Sequence, residues 1–157
     1  MLISLRRMVG MPVVWQSRQI GHVEQALADQ ESRCLDGVVI RKGIGSARWC
    51  PAEAIEVIGE ECLIVRQKPV RRPVEPVSVP GWAYLTSGQC IGEVTDAILS
   101  AATLRINALE VSPGPVYRLM GHCAYALSFR QTGSCVVVPA LLSWTQLRRQ
   151  LGEEEEK

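Results

Sequence analysis

The chain has 157 residues, of which 47% are hydrophobic and 21% are charged, and its formal net charge is +1. This composition is typical of a globular protein, and the length suits one domain of usual size or two small ones. A net charge so close to zero argues against the strongly basic surface of a dedicated nucleic-acid binder, so we expect no nucleic-acid partner.

Membrane insertion and secretion are not expected either. The longest apolar run, 135–142, falls short of the 18 residues of a membrane span and contains a proline. Residues 1–7 place their arginines after their apolar residues, the reverse of a secretory signal, so we expect a cytoplasmic protein. The six cysteines are never separated by two residues, which favours reduced, mostly buried thiols over disulfides or zinc ligands. Cys62 and Cys135 lie inside apolar runs and are expected in the core.

In chain order, the first half reads as a series of short strands. The β-branched runs 13–15, 38–40 and 63–65 are bounded by glycine, proline or polar residues, and their lengths suit strands rather than helices. Polar connections are expected at 29–33 and 43–46. In the segment Ile20-Gly21-His22-Val23, a bulge at the glycine would turn both apolar side chains toward the core.

A proline-rich segment, 69–78, separates residues 1–68 from 79–152 and predicts a semi-rigid linker. Such a segment also has the form of an SH3 ligand, but short joints of this kind are more often spacers. Ile91-Gly92-x-Val94 repeats Ile20-Gly21-x-Val23 at a distance of 71 residues (91 minus 20). Because the matches fall at glycine and β-branched positions, where geometry dictates the residue, they predict two copies of one module.

The end of the chain predicts one more strand and then a helix. Residues 136–138 form another β-branched run, and Ser143 with Gln146 has the pattern of a capping box. Apolar residues at 144, 147 and 151 make a helical stripe, and we expect the helix to end by Gly152. The acidic tail 153–157 is expected to be disordered.

Short strands at these spacings favour a mainly β fold, either small barrels or a sandwich. Residues 4–67 resemble the PRC-barrel family, through Gly10-Met11-Pro12-Val13, Ile20-Gly21 and the Ile-x-x-Ile-Gly element at 55–59. In the second half the match is carried mainly by Ile91-Gly92-x-Val94. The resemblance implies two tandem small PRC-like β-barrels with a short C-terminal helix. The family includes the H subunit of a photosynthetic reaction centre, a ribosome maturation factor and stand-alone bacterial proteins, and it uses the barrel for protein contacts.

Reactive groups in a catalytic or metal-binding pattern are not found. His22 aligns with Glu93, which favours an outward polar position over a general base. His122 and Cys123 are adjacent and would point to opposite faces of a strand, which argues against a Cys–His pair. A metal site made by Cys50, His122 and Cys123 is the weaker alternative to scattered thiols.

A binding function is therefore favoured. The chain has four tryptophans and one phenylalanine, and Trp15, Trp49 and Trp82 are not matched between the two copies. These three are candidate contact anchors, since buried aromatic residues dominate interface energies, whereas Trp144 is expected to dock the helix. We predict a non-catalytic adaptor or scaffold, without a cofactor, whose partner is another protein or a second copy. The alternative is a small-ligand or metal-binding sensor that uses the cleft between the barrels.

Overall fold

A computed structural model of the chain describes residues 1–29, 32–71, 81–113 and 123–152. The chain divides into two compact units, each built on one β-sheet. Unit 1 comprises Met1–Val77 and Leu99–Ile106, and unit 2 comprises Ser78–Ile98 and Asn107–Lys157. The predicted mainly β fold with a short C-terminal helix is confirmed.

The sheet of unit 1 contains six strands in the order β5-β4-β3-β2-β7-β6. Only β2 and β7 are parallel among the described pairs. The predicted strands at 13–15, 38–40 and 63–65 are confirmed. The elements are β1 (Leu2–Ser4), α1 (Leu5–Met8), β2 (Pro12–Trp15), β3 (Arg18–Asp29), β4 (Cys34–Arg41), β5 (Arg48–Pro51), a 3-10 turn (Ala52–Ala54), β6 (Ile55–Ile58) and β7 (Leu63–Val65).

The short helix α1 was not predicted. Ser4 caps it by accepting a hydrogen bond from the Arg7 N–H at 3.1 Å. Its last residue, Met8, is fully buried, as are Val13 and Val23 of the strands that follow, so this single turn of helix contributes a side chain to the core of unit 1.

The sheet of unit 2 repeats the strand order of unit 1, as β11-β10-β9-β8-β13-β12. The pair β8–β13 is parallel, like β2–β7. Each strand of unit 2 therefore occupies the position that the strand numbered six lower occupies in the sheet of unit 1, so that β8 corresponds to β2. The elements are β8 (Trp82–Leu85), β9 (Cys90–Ser100), β10 (Ile106–Ser112), β11 (Ala124–Ala126), β12 (Arg130–Thr132), β13 (Cys135–Val138) and α2 (Trp144–Gln150).

The predicted bulges are present in both units. The register of β2 against β3 shifts at Gly21, and Ile20 is the extra residue. The register of β8 against β9 shifts at Gly92, and Ile91 is the extra residue. The valines two residues after the glycines are buried whereas the isoleucines are half-buried, so each bulge turns only the valine fully into the core.

Both sheets have one edge covered by the chain that follows the last strand. In unit 1 the Trp49 N–H donates to the Val70 carbonyl at 2.7 Å, and the Val70 N–H donates back at 3.0 Å. In unit 2 Tyr125 and Leu142 exchange two such bonds at 2.8 Å. Among the described residues, strand pairing in each unit remains an open path, so the structure shows sheets rather than closed barrels.

The tip of the β9–β10 hairpin, Leu99–Ile106, belongs to unit 1. The Leu104 carbonyl accepts a hydrogen bond from the Leu35 N–H at 2.8 Å, and the Ile106 N–H donates to the Arg33 carbonyl at 2.9 Å. β9 therefore ends, and β10 begins, within unit 1, although both strands come from the second half of the sequence.

All six cysteines are thiols, but the expectation that most are buried was wrong. Cys50 is buried and Cys90 is exposed, and the others are half-buried. Cys62 and Cys135, expected in the core, are among the half-buried ones. The reason is position along the strands, because Cys34, Cys90 and Cys135 are the first residues of their strands.

The C-terminal helix agrees with its sequence pattern. The Ser143 side chain accepts from the Gln146 N–H at 3.2 Å, and the Gln146 side chain accepts from the Ser143 N–H at 2.9 Å, which completes the capping box. Leu147 is fully buried and Gly152, with φ +75°, follows the helix end.

Two predicted features lie outside the described residues. These are most of the linker, at 72–78, and the acidic tail at 153–157. Within the four described ranges, no helix has the length and hydrophobicity needed to cross a bilayer.

Candidate protein-interaction surface

Trp49 lies on β5 and is 7% exposed. A Cβ atom added at Gly37 would lie 2.6 Å from two carbon atoms of the indole, Cζ2 and Cη2. Glycine on β4 therefore makes room for the ring, which packs against the backbone of the neighbouring strand. In this structure the Trp49 side chain belongs to the core of unit 1.

Trp15 is half-buried at the end of β2, where it pairs with Arg18 across a two-residue turn. The turn residues Gln16 and Ser17 have φ values of 49° and 64°. Positive φ at both central residues is the signature of a type I′ hairpin turn, which usually contains glycine or asparagine. Gln16 and Ser17, neither of which is glycine or asparagine, therefore adopt a left-handed backbone conformation next to Trp15.

Trp82 is the most exposed of the three predicted anchors, at 51%. It begins β8, and Gly81 before it lies so close to Ser134 that an added Cβ would overlap the Ser134 carbonyl oxygen. Ala83 after it is fully buried. Strand alternation therefore holds the indole on the outer face of the sheet.

Neighbouring side chains extend this outer face in unit 2. Tyr84 lies two residues after Trp82, pairs with Val137 on β13, and Val137 pairs with Arg130 on β12. Tyr84 and Val137 are half-buried, and Arg130 is exposed. We call Trp82, Tyr84 and Val137 the aromatic face.

Unit 1 has an apolar row at the equivalent place. Val57 on β6 pairs with Ile64 on β7, which pairs in turn with Val14 on β2. Val57 is 46% exposed, Ile64 is 37% exposed and Val14 is half-buried. Directly opposed side chains on neighbouring strands contact one another, so these three form a continuous strip. We call it the aliphatic row.

A buried polar cluster in unit 2 was not found from the sequence. Glu110 on β10 is 6% exposed and accepts from the Thr95 hydroxyl at 2.8 Å and from the Tyr125 hydroxyl at 3.3 Å. The signal was available, because this carboxylate lies between the apolar residues 108–109 and 111. A charged residue in such a run is buried only if its oxygens are hydrogen-bonded.

The cluster holds Tyr125 in its neutral form. Burial, reinforced by the nearby Glu110 carboxylate, raises the pKa of Tyr125 to about 12. Its ring also packs against Trp144, with centroids 5.2 Å apart and an interplanar angle of 52°. This contact confirms that Trp144 docks α2, and the cluster therefore connects β10, β11 and the helix.

The remaining candidates for chemistry are the thiols of Cys50 and Cys123 and the two histidines. Burial, with the Glu53 carboxylate, raises the pKa of Cys50 to about 11, so this thiol is protonated at neutral pH. His22 is exposed, as expected, and its Nε2 lies 3.2 Å from Nε2 of Gln19. His122 lies outside the described residues. In the part of the chain that is described, no three His, Cys, Asp or Glu side chains are grouped to hold a metal ion.

Comparison with protein-family models finds none that matches this chain. Comparison with curated proteins finds no significant match. The PRC-barrel resemblance therefore remains a prediction from the motifs, and functional conclusions rest on the chain's own geometry.

Proposed function

We propose that this protein is a non-catalytic protein-interaction module, an adaptor or scaffold built from two tandem PRC-like barrels, and that it acts in the cytoplasm without a cofactor. The observation that carries the proposal is Trp82, a large aromatic side chain that is half exposed on a backbone held by close packing. A rigid exposed aromatic loses little conformational entropy on binding, which is why such residues anchor interfaces.

Three features support the tandem-module part of the proposal. The two sheets have the same strand order. In each, one pair of strands is parallel, β2 with β7 in unit 1 and β8 with β13 in unit 2. Each also has a bulge at the equivalent glycine. In both, the chain after the last strand covers the opposite edge strand, at Val70 and Leu142. Pairing of the chain after the last strand with an edge strand of the same sheet is expected when a sheet curves into a small barrel.

The contact site that we propose is the aromatic face. Trp82 provides the exposed ring, and Tyr84 and Val137 form an apolar surface beside it. An aromatic anchor that becomes fully buried in a complex contributes about 2 kcal/mol or more. Trp49 is buried and Trp15 is half-buried, so the anchor role rests on Trp82.

The partner is either another protein or a second copy of this chain. Two measurements distinguish these two kinds of partner. Sedimentation velocity over a range of concentrations detects self-association, and capture from cell extract with identification of bound proteins detects a different partner. Trp82→Ser should abolish the association found by either method while leaving the melting temperature within about 2 °C, because the side chain lies on the outer face.

The matched control is Ile44→Ser, which removes a fully exposed apolar side chain from a loop of unit 1. It should bind like the unaltered protein. Association that survives Trp82→Ser, or that Ile44→Ser reduces equally, would contradict the proposed site.

A further inference from the structure

The loop between β4 and β5, residues 42–47, has an isoleucine at its tip. Ile44 is fully exposed, whereas every other large apolar side chain of the described residues is at most 56% exposed. It stands between Gly43, which has φ +58°, and Gly45. Such a side chain adds nothing to the core of unit 1, and its apolar surface is available to a partner outside the chain.

Side-chain and backbone contacts hold this loop on the sheet. The Arg41 guanidinium donates to the Gly45 carbonyl at 2.7 Å and to the Glu24 carboxylate at 2.9 Å, so it ties the loop to β3. The Gly45 N–H donates to the Lys42 carbonyl at 3.1 Å, which closes a turn. Ile44 is therefore presented by an ordered turn, and little conformational entropy is lost when it contacts a partner.

The hairpin turn after β2 lies at the same end of the sheet as this loop. β3 is antiparallel to both β2 and β4, and His22 near the start of β3 pairs with Arg41 at the end of β4. β5 begins here as well, with Arg48 paired to Ile40. We call this end of unit 1 the basic end, and its residues are Trp15, Arg18, Lys42, Ile44 and Arg48.

The charges of unit 1 are unevenly distributed between the two ends of its sheet. At the basic end Arg18 and Lys42 are exposed and Arg48 is half-buried, while Arg41 is ion-paired with Glu24. The opposite end, where β3 and β6 finish and β4 and β7 start, has one arginine, Arg33, among the described acidic residues Asp29, Asp36, Glu60 and Glu61. Such an uneven distribution directs the basic end toward a negatively charged surface.

We propose that the basic end adsorbs to anionic lipid bilayers, a function independent of protein binding at the aromatic face. Ile44 and Trp15 supply the apolar contact, because tryptophan and exposed aliphatic side chains favour the headgroup region. The cations of the basic end lie against the lipid phosphates, and each Lys or Arg near an anionic leaflet strengthens adsorption about fivefold. A soluble polyanion such as RNA would engage these cations but leave Ile44 in water, so Ile44 favours the bilayer. This contact is confined to the headgroup region and differs from the membrane insertion that the sequence argues against.

Co-sedimentation with sucrose-loaded vesicles tests the proposal on the full chain. One set of vesicles is phosphatidylcholine alone, and the other contains about 30% phosphatidylserine, which gives it a negative surface. We expect at least tenfold tighter binding to the anionic vesicles, and loss of that binding at about 0.5 M salt, where the charges are screened. Equal binding to both sets of vesicles, or no binding to the anionic ones, would overturn the proposal.

Substitution of Ile44 separates a bilayer from other polyanions. Ile44→Ser should weaken binding to anionic vesicles at least fivefold, and Ile44→Trp should strengthen it at least threefold, because tryptophan is favoured in the headgroup region. Val57→Ser removes a partly exposed side chain from the aliphatic row and should leave the affinity within twofold. Equal weakening by Ile44→Ser and Val57→Ser, or unchanged binding by both Ile44 variants, would refute the membrane site. Sedimentation velocity without lipid does not report on this contact, so Ile44→Ser remains the control for the aromatic face.

Discussion

Gly21→Ala tests the close backbone approach that underlies the bulge of unit 1. Gly21 has φ +151°, a conformation that L-residues rarely adopt. An added Cβ would lie 2.7 Å from the Arg41 carbonyl oxygen and 3.0 Å from the Ile40 Cγ2 atom. The oxygen belongs to the backbone of β4, so it moves away only if the β3–β4 ladder is distorted.

The expected cost has two parts. A strained backbone conformation costs of order 1–3 kcal/mol, and the overlap with β4 adds strain of similar size, so the free energy of unfolding of unit 1 should fall by roughly 2–6 kcal/mol. Gly43→Ala is the matched control. Gly43 has φ +58° and nothing within 4 Å of its Cβ position, so its loss should be limited to about 1 kcal/mol.

Urea unfolding, followed by circular dichroism, measures the difference. With a slope of about 1–3 kcal/mol/M, the midpoint of Gly21→Ala should lie roughly 1 M below that of Gly43→Ala. Equal midpoints for the two variants would refute the close approach of β3 to β4 at the bulge.

Three further expectations follow from the described contacts. Ser17→Gly should stabilise unit 1 by roughly 0.5–1 kcal/mol, because it relieves a left-handed residue in the hairpin turn, and a lowered urea midpoint would contradict this. Trp49→Ala should lower the free energy of unfolding by about 3–5 kcal/mol through loss of core packing, whereas Trp82→Ala should change it by less than about 0.5 kcal/mol. Similar melting temperatures for the two variants would contradict the burial of Trp49 and the exposure of Trp82. Absorbance at 295 nm should titrate Tyr125, identified by its loss in Tyr125→Phe, with a pKa of about 12, and Glu110→Gln should lower that pKa toward 10. The Tyr125 hydroxyl has a higher pKa in the folded chain than in the unfolded chain, so its protonated form stabilises the fold. This contribution to the free energy of unfolding is fully present below pH 10 and is lost as the pH rises through about 12. A native pKa near 10 would contradict the buried cluster.

Much of the local structure was predictable from the sequence, because short-range physics determines it. The β-branched runs form strands, the glycines at 21 and 92 mark bulges, and Ser143 with Gln146 caps the final helix. Each signal depends on a few neighbouring residues whose backbone preferences agree with the fold.

The long-range features were not predictable in the same way. The alignment of the two halves places Gly81 on Gly10, but the backbone pairing differs by one residue. Val23 donates to the Met11 carbonyl at 2.9 Å, and Val94 donates to the Gly81 carbonyl at 3.2 Å, so Gly81 is equivalent to Met11. The division that places residues 99–106 in unit 1 likewise depends on contacts between strands distant in sequence.

The candidate site shows the same division between composition and packing. An excess of tryptophan was visible in the sequence, but exposure depends on which face of a strand each residue occupies. Trp49 has Gly37 on the neighbouring strand to make room for its ring, whereas Trp82 has the buried Ala83 beside it and points outward. The Glu110 cluster was missed because its hydrogen-bond donors come from β9 and β11, on either side of β10.

The most direct test of the adaptor proposal places a photo-cross-linking residue, p-benzoylphenylalanine, at Trp82 and, in a second protein, at the exposed loop residue Ile44. Both proteins are illuminated in cells that express them in place of the native chain. The proposed function predicts one discrete cross-linked species, a dimer or a complex with another protein, from position 82 and not from position 44. The absence of any discrete product at position 82, or the same products from both positions, would contradict it.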